Sequence, residues 1–315
     1  MSTKKNKKIV IKIGSRCIAD GYVHPTTGHS YVDWGLLERI TGEIKKLRDE
    51  GWQVILVVSG AINAGAPYWN FKQYSNEPLM RKISASLGQA LMMRYYASAF
   101  GYIETDNETN LPCQILVTYD QLKNPKIATA LKETLKGIMD ERMIPIINYN
   151  DPLSVAVKEI KIWQKLKNFA AKLCRQESVG AKTSRFISDY KLEEELFKDN
   201  DCLAAIIAVL LEASHLLILT DKVEGLMDNG ELIRYASLKD IGRYKEICAG
   251  KGGEFNTGGM LTKLIAAEIV LSEDITVIIG NIKYNTIDLI NNEKPHTRIE
   301  KYYRVRMVSK KLPLI

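Results

Sequence analysis

The sequence has no long apolar stretch and no clustered cysteines. No run approaches the roughly 18 uncharged apolar residues that indicate a membrane-spanning helix. The first apolar run, residues 9–13, is too short for the core of a signal peptide, and it contains Lys12. The five cysteines include no C-x-x-C pair, which argues against a disulfide framework or a zinc site. We therefore expect a cytoplasmic protein without membrane attachment.

Common nucleotide-binding and hydrolase motifs are missing as well. No G-x-G-x-x-G follows a predicted strand, which disfavours a dinucleotide-binding fold. A P-loop frame runs from Gly253 to Gly258, but Gly259 stands where that motif requires lysine. The four histidines form no cluster, and no Ser/His/Asp or Cys/His set has a supporting context. Hydrolase chemistry therefore has no support.

The composition is that of an ordinary globular protein. Of the 315 residues, 46% are hydrophobic and 26% are charged, which suits one large α/β domain or two smaller ones. The formal charge of +7 arises in part from the lysines of residues 1–8, which we interpret as a solvated basic tail. The other basic residues are spread along the chain, so nucleic-acid binding has weak support and a small anionic substrate is an equally good explanation.

Short apolar runs alternate with helical patterns. The runs are rich in β-branched residues without clear alternation, which is typical of strands buried on both faces of a parallel sheet. They lie at residues 9–13, 54–58, 115–117, 144–147, 216–219 and 275–279. Helical spacing covers residues 36–47, 82–99, 127–142, 200–213 and 260–271. This order predicts an α/β fold, doubly wound, with a mainly parallel sheet sandwiched by helices.

Small or polar residues follow the predicted strands. The segments are Gly14-Ser15, Ser59-Gly60-Ala61, Asn148-Tyr149-Asn150-Asp151 and Thr220-Asp221. Ligands bind beyond the carboxyl ends of parallel strands, so a site is expected at this edge. Simpler explanations stay open for each segment: Lys12 can be an edge-strand lysine that faces water, residues 59–61 an ordinary βα turn, and residues 148–151 an Asx-rich turn.

Two further segments carry candidate chemistry. Residues 199–201, Asp-Asn-Asp, precede a strongly apolar helix, and an N-cap accounts for one of them but not for three. A carboxylate there can order a lysine or Mg²⁺-bound water, and the asparagine can bind substrate. In the second segment, residues 257–259 are expected to form a nest of backbone N–H groups at a helix start. Lys263 follows one turn later and can reach the same anion.

Together and in this order, these segments resemble the amino acid kinase family, and within it the branch that phosphorylates the γ-carboxylate of glutamate. The resemblance runs from about residue 9 to about residue 282. The matching stretches are IVIKIGS, VVSGAINAG, SLGQALM, QILVTYD, IPIINYND, KDNDCLAA, LLILTDKVEGLMD and NTGGMLTK. Neither the K-F-G-G-T of aspartokinases nor the G-G-G turn of acetylglutamate kinases occurs.

The resemblance implies an activity and a role for each matching residue. ATP would phosphorylate L-glutamate in the first step of proline biosynthesis, with Mg²⁺ held mainly by the ATP phosphates. Lys12 and Lys263 would grip the transferred phosphoryl group, and Asp201 would hold both lysines. The implied glutamate contacts are Ser59, Gly60, Ala61, Asp151 and Asn200. The implied ATP contacts are Lys12, Gly14, Ser15, Thr220, Asp221, Gly225, Thr257, Gly258, Gly259, Met260 and Lys263.

The resemblance also bears on organisation and partners. Residues 9–315 are predicted to form a single kinase domain, with an insertion at about residues 162–196 that is either a surface addition or a lid or subunit contact. The RNA-binding-like PUA domain of many bacterial relatives is expected to be absent. A homo-oligomer, dimer or tetramer, is implied, and a partnership with a glutamyl-phosphate reductase stays open.

Two other functions remain alternatives to glutamate phosphorylation. The chain can be a kinase of the same fold that acts on another small acid, such as a carbamate, a phosphonate or a phosphate monoester. It can also be a non-catalytic sensor of an amino acid or a nucleotide. The combination of Lys12, Asp201 and Lys263 argues against the sensor, because a binding module does not need all three.

Overall fold

The chain folds as alternating strands and helices. The computed structural model describes residues 7–23, 30–68, 77–101, 110–153, 199–249 and 258–302. Its strands are β1 (Lys8–Ile13), β2 (Ala19–Val23), β3 (Ser30–Val32), β4 (Gln53–Val58), β5 (Pro112–Val117), β6 (Ile144–Tyr149), β7 (His215–Thr220), β8 (Met227–Asp228), β9 (Glu231–Leu232), β10 (Tyr235–Ser237), β11 (Thr276–Asn281) and β12 (His296–Glu300). Its α-helices are α1 (Trp34–Asp49), α2 (Ala61–Gly65), α3 (Pro78–Ala99), α4 (Tyr119–Lys123), α5 (Pro125–Asp140), α6 (Asn200–Leu210), α7 (Leu238–Ala249), α8 (Gly258–Leu271) and α9 (Thr286–Ile290).

One sheet of eight strands, in the order β10-β12-β11-β7-β1-β4-β6-β5, organises these elements. All neighbours from β11 to β5 run parallel, and only β12 pairs antiparallel with β11. The strand order reverses beside β1, since the chain builds outward to β4 and β6 first and later to β7 and β11 on the other side. The predicted fold class, a doubly wound and mainly parallel sheet between helices, is confirmed.

Alternate side chains of the central strand β1 enter two different cores. Ile9, Ile11 and Ile13 pack with residues of α1 and α3, whereas Val10 packs with residues of α6 and α8. This alternation is what a strand covered on both faces requires. By the same alternation Lys12 projects to the side of Val10, where α6 and α8 begin.

The predicted elements agree with the structure except at some ends. α6 stops at Leu210 rather than at residue 213, because Glu212 adopts a positive φ of 53° and the chain turns toward β7. The sequence patterns did not predict the strands β2, β3, β8, β9, β10 and β12 or the helices α4, α7 and α9. The insertion predicted at residues 162–196 lies outside the described residues. Of the helices that the structure describes, none is both long and apolar enough to cross a membrane.

A close contact between α2 and α3 explains two of the glycine-containing motifs. A Cβ atom at Gly88 would lie 2.6 Å from the amide nitrogen of Gly65, and one at Gly65 would lie 2.8 Å from that of Gly88. Real Cβ atoms essentially never come so close to backbone, so only glycine allows this approach. The contact fixes where α3 passes the carboxyl ends of β4 and β6.

Gly88→Ala is expected to destabilise the protein by ~1–3 kcal/mol, because the added methyl forces the two helices apart. Gly42→Ala in α1 and Gly137→Ala in α5 are matched controls, since a Cβ at either position meets nothing within 4 Å. Both controls are expected to gain ~0.5–1 kcal/mol from the better helix propensity of alanine. Urea unfolding followed by circular dichroism measures all three, and a Gly88→Ala protein as stable as the controls would contradict the contact.

Candidate active site

The polar residues that follow β7, β1, β4 and β6 lie along one edge of the sheet, because these strands are parallel neighbours. α6 begins at the same edge. Its N-cap is Asp199, whose side chain accepts a hydrogen bond of 3.0 Å from the backbone N–H of Asp201. One residue of the Asp-Asn-Asp segment is therefore used for capping, as expected. Asn200 and Asp201 are left to contact the strand ends.

Asp201 lies between two lysine side chains. Its Oδ1 is 2.7 Å from Lys12 Nζ, and its Oδ2 is 2.9 Å from Lys263 Nζ. The carboxylate has no solvent exposure, and Lys12 is only 5% exposed. Asp199 Oδ1 is 3.7 Å from Lys12 Nζ and adds a second negative charge nearby. The structure thus brings together the three residues predicted to be catalytic, which are far apart in the sequence.

The charges of this cluster stabilise one another. Burial alone would raise the pKa of the Asp201 carboxyl, but the ammonium groups of Lys12 and Lys263 outweigh burial and hold that pKa at about 2. Burial lowers the pKa of Lys12, yet Asp201 and Asp199 raise it by more, so the net shift is upward. Asp201 and Lys12 are therefore both charged at neutral pH. Each ammonium has three donors, so pairing with one carboxylate leaves donors for an anion.

Thr262 is a fourth member of the cluster that sequence reasoning missed. Its hydroxyl lies 2.8 Å from Asp201 Oδ2 and 3.1 Å from the carbonyl oxygen of Gly259, and the residue is 4% exposed. A hydroxyl that donates to Oδ2 restrains the carboxylate beside Lys263. No spacing rule indicated this role, because a threonine in the first turns of a helix more often bonds to its own backbone.

The amide of Asn200 connects α6 to the ends of β4 and β6. Its Nδ2 lies 2.8 Å from the carbonyl oxygen of Val58, 2.7 Å from Ser59 Oγ and 2.9 Å from Asn148 Oδ1. Asn148 in turn donates to Gln89 Oε1 on α3 at 2.8 Å. The structure therefore joins two predicted glutamate-contact residues, Ser59 and Asn200. It adds Gln89, to which the sequence motifs gave no role, and Asn148, which was expected only as one of the polar residues after β6.

The remaining predicted acceptor contacts surround this group. Gly60 has a φ of 113° and begins α2, and Ala61 is the buried first residue of that helix. Asp151 opens a short 3-10 turn directly after β6. Burial raises the pKa of its carboxyl, with Arg81 of α3 opposing the shift. A carboxylate with a raised pKa at a strand end is a candidate partner for a cationic group of a ligand.

The predicted nucleotide contacts after β7 form a braced loop. Thr220 Oγ1 donates to the carbonyl oxygen of Val223, and Asn281 Nδ2 donates to the carbonyl oxygens of Asp221 and Val223 at 3.3 and 3.2 Å. The Thr220 hydroxyl thus holds the loop in shape. A Cβ atom at Gly225 would lie 2.8 Å from the backbone nitrogen of Thr297, so this glycine lets the loop pack on β12.

The other predicted nucleotide contacts lie at the starts of two helices. Gly14 and Ser15 follow β1, where a 3-10 helix covers Ser15–Ile18, and a Cβ at Gly14 would lie 3.6 Å from Lys12 Nζ. Gly258, Gly259 and Met260 are the first residues of α8, whose N-terminal N–H groups favour an anion. Thr257 lies outside the described residues. Within the described ranges, no three His, Cys, Asp or Glu side chains converge as ligands for a metal ion.

Comparisons with known proteins identify the family and the fold. The sequence model of the amino acid kinase family matches residues 7–173 and 179–281. The chain is 31% identical to glutamate 5-kinase 2 of Bacillus subtilis over 87% of its own length and 62% of that protein's length. It is 28% identical to a glutamate 5-kinase of Listeria innocua over 94% of both chains.

Among solved structures, Giardia lamblia carbamate kinase bound to AMP-PNP superposes with a TM-score of 0.59 at 16% identity, covering 94% of this chain and 99% of that one. UMP kinase of Ureaplasma parvum superposes with a TM-score of 0.52 at 14% identity, covering 94% and 99%.

Asp201→Asn is expected to destabilise the unliganded protein by ~3–5 kcal/mol, because it leaves the buried ammonium of Lys12 and the partly buried ammonium of Lys263 without their shared counter-charge. The control is Glu212→Gln, which removes the negative charge that pairs with Lys132. The side chain of Glu212 is 75% exposed. That exposed pair is screened by solvent, so its loss is expected to cost less than ~1 kcal/mol. Urea unfolding at neutral pH and low salt compares the two. Equal stability of Asp201→Asn and wild type would contradict the coupling.

Proposed function

The chain belongs to the amino acid kinase family, and we propose that it transfers the γ-phosphoryl group of ATP to the γ-carboxylate of L-glutamate. The product would be γ-glutamyl phosphate, and the reaction would be the first step of proline biosynthesis. The observation that carries the proposal is the buried Lys12–Asp201–Lys263 cluster at the strand ends. The named relatives, which align with 87% and 94% of this chain, support the choice of glutamate.

Phosphoryl transfer needs alignment and charge neutralisation more than covalent chemistry. A γ-carboxylate oxygen attacks the γ-phosphorus, the bond from that phosphorus to the β–γ bridging oxygen breaks, and ADP leaves. The carboxylate is already ionised at neutral pH, so no general base is required. Lys12 and Lys263 approach the transferred group from β1 and α8, and Asp201 holds both ammonium groups in place before substrate arrives.

The nucleotide is proposed to lie between the loop after β7 and the start of α8. The N-terminal N–H groups of α8, at Gly258, Gly259 and Met260, suit the ATP phosphates. Mg²⁺ that enters with ATP would neutralise more of the phosphate charge. Because no set of three ligand side chains converges within the described residues, we propose that phosphate and water oxygens supply most of the ligands of this ion.

The acceptor amino acid is proposed to lie at the ends of β4 and β6. Ser59, Gly60 and Ala61 would contact it from the turn that opens α2. Asn200 would contact it from α6, and the Asp151 carboxylate would pair with its α-ammonium. The acyl phosphate product is reactive, so a reductase that consumes it is the partner we propose, in the cytoplasm. A homo-oligomer, dimer or tetramer, is proposed from the family resemblance alone.

The proposal is tested by ADP release with Mg·ATP in the presence of L-glutamate, L-aspartate, N-acetylglutamate or carbamate. Hydroxylamine in the assay traps an acyl phosphate as a hydroxamate. We expect ADP and hydroxamate to form together and only with L-glutamate. Turnover with carbamate but not with glutamate would favour a kinase for another small acid, and ATP binding without turnover would favour a sensor.

Lys12→Met and Lys263→Met are each expected to lower kcat by about 10²-fold or more, because each removes a positive charge from the transferring phosphoryl group. Lys132→Met is the matched control, since this lysine lies on α5 and pairs with the exposed Glu212. It is expected to keep wild-type kcat. The measurement is kcat from steady-state kinetics with saturating glutamate and ATP. Near-normal kcat in Lys12→Met or Lys263→Met would contradict the proposed role of that lysine.

The pH dependence of kcat/KM for glutamate is expected to follow the ionisation of Asp151. Its raised pKa means that the carboxyl begins to take up protons at a higher pH than an ordinary aspartate, and only the ionised form pairs with an α-ammonium. kcat/KM for glutamate should therefore fall as pH decreases through that pKa. kcat should begin to fall only at a lower pH than kcat/KM does, because the bound α-ammonium stabilises the ionised form of Asp151. Asp151→Asn should flatten the acidic limb of kcat/KM. An unchanged limb in that variant would argue that another group titrates.

A further inference from the structure

A chain of amide side chains connects α3 to the proposed acceptor pocket. Gln89 Oε1 accepts from Asn148 Nδ2 at 2.8 Å, and Asn148 Oδ1 accepts from Asn200 Nδ2 at 2.9 Å. Gln89 is 7% exposed and Asn148 is 2% exposed. Polar side chains buried to this degree are costly unless they are paired, so their pairing to one another has a structural or functional reason.

Neighbouring backbone groups identify which atom of each amide is the oxygen and which is the nitrogen. The carbonyl oxygen of Val58, 2.8 Å from the Asn200 amide, can only accept, so the group facing it must be Nδ2. The backbone N–H of Tyr149, 2.8 Å from the Asn148 amide, can only donate, so the group facing it must be Oδ1. Asn148 Nδ2 is then left to face Gln89, whose acceptor completes the series.

This arrangement leaves one atom of the Asn200 amide unused. Asn200 Nδ2 has three oxygen acceptors within reach, whereas the buried Oδ1 has no hydrogen-bond partner among the described residues. A buried acceptor without a donor is unfavourable by itself. A ligand that brings an N–H donor would satisfy it, and an acceptor amino acid carries such donors on its α-ammonium.

We propose that Gln89 is a positioning residue for acceptor selection. Through Asn148 it holds the Asn200 amide in the one orientation that offers Oδ1, and Oδ1 accepts a hydrogen bond from the α-ammonium of the acceptor. The inference rests on the proposed function, in which the acceptor is an amino acid. Gln89 is then responsible for a preference of the enzyme for amino acids over dicarboxylates that lack an amine, although Gln89 itself does not touch the substrate.

The close contact between α2 and α3 accounts for the reach of Gln89. Gly88 precedes it and lies against Gly65, which holds α3 close to α2 at the level where Gln89 contacts Asn148 of β6. The SLGQ motif thus contains Gly88, which permits the close contact of α2 and α3, and Gln89, which reaches Asn148. Asn148 Nδ2 can only donate, so Gln89 Oε1 is the atom that faces it. Gln89 Nε2 is buried without a hydrogen-bond partner among the described residues.

Gln89→Met tests the proposal, because it keeps the length of the side chain and removes Oε1. KM for L-glutamate is expected to rise roughly tenfold, the effect of losing one well-oriented hydrogen bond to a charged group. The inhibition constant of glutarate, which lacks the amine, is expected to stay unchanged, as are kcat at saturating glutamate and KM for ATP. Gln89→Glu keeps an acceptor for Asn148 and is expected to restore KM to near the wild-type value.

Ser86→Ala, on an exposed turn of the same helix, is the control and is expected to match wild type. The proposal is overturned if Gln89→Met leaves KM for glutamate unchanged. It is also overturned if this variant weakens glutarate and ATP as much as glutamate, since that pattern indicates a general disturbance of α3.

A second measurement does not depend on activity. In ¹⁵N-labelled wild-type protein, the side-chain amide hydrogens of Asn148 and Asn200 are expected to exchange slowly with solvent, and Gln89→Met is expected to remove that protection. Unchanged protection would overturn the positioning role of Gln89. If wild type shows no glutamate-dependent turnover, the proposed function fails instead, and the exchange data alone decide whether Gln89 orders the two asparagines.

Discussion

The buried carboxylate of Asp201 lies between two ammonium groups, and three separate elements must meet for this to happen. Lys12 comes from the central strand β1, Asp201 from the first turn of α6, and Lys263 from the second turn of α8. None of these charges would be tolerated alone in an interior position. Together with the hydroxyl of Thr262 they form a paired group whose geometry is fixed before any ligand binds. The helix starts and strand ends around the cluster therefore hold these contacts in position.

The topology of the sheet explains why the cluster lies where it does. The strand order reverses beside β1, and in open α/β sheets the space beyond the carboxyl ends at such a reversal is where ligands bind. On the side of β7 lie the braced loop after Thr220 and the start of α8, which suit phosphates. On the side of β4 and β6 lie Ser59, Asn148 and Asp151, which suit a small polar molecule. Lys12 stands between the two sides, where a transferred group would pass from one to the other.

Much of this could be predicted from the sequence, because the informative patterns are local. The buried parallel strands, the helix that starts at the Asp-Asn-Asp segment and the polar strand ends all follow from runs of a few residues. Among the elements that were not predicted, the strands β10 and β12 are short and carry polar residues, and their pairing depends on tertiary context. The role of Gln89, and its contact with Asn148, were missed for a different reason. Their hydrogen bond joins residues 59 positions apart, and no local spacing reveals such a partner.

The solved structures that share this fold are named for different acceptors, carbamate and UMP, so the fold by itself does not select the substrate. The phosphate side of the site needs only lysines and helix N-termini, which suit any nucleotide-dependent transfer. Selection must then come from the acceptor side, where the charge of Asp151 and the orientation of the Asn200 amide differ from what a phosphate-bearing acceptor would require. A carboxylate and an unsatisfied carbonyl oxygen repel an anion and attract an ammonium group. For that reason we propose that this side of the site favours an amino acid over a nucleotide or a simple phosphate ester.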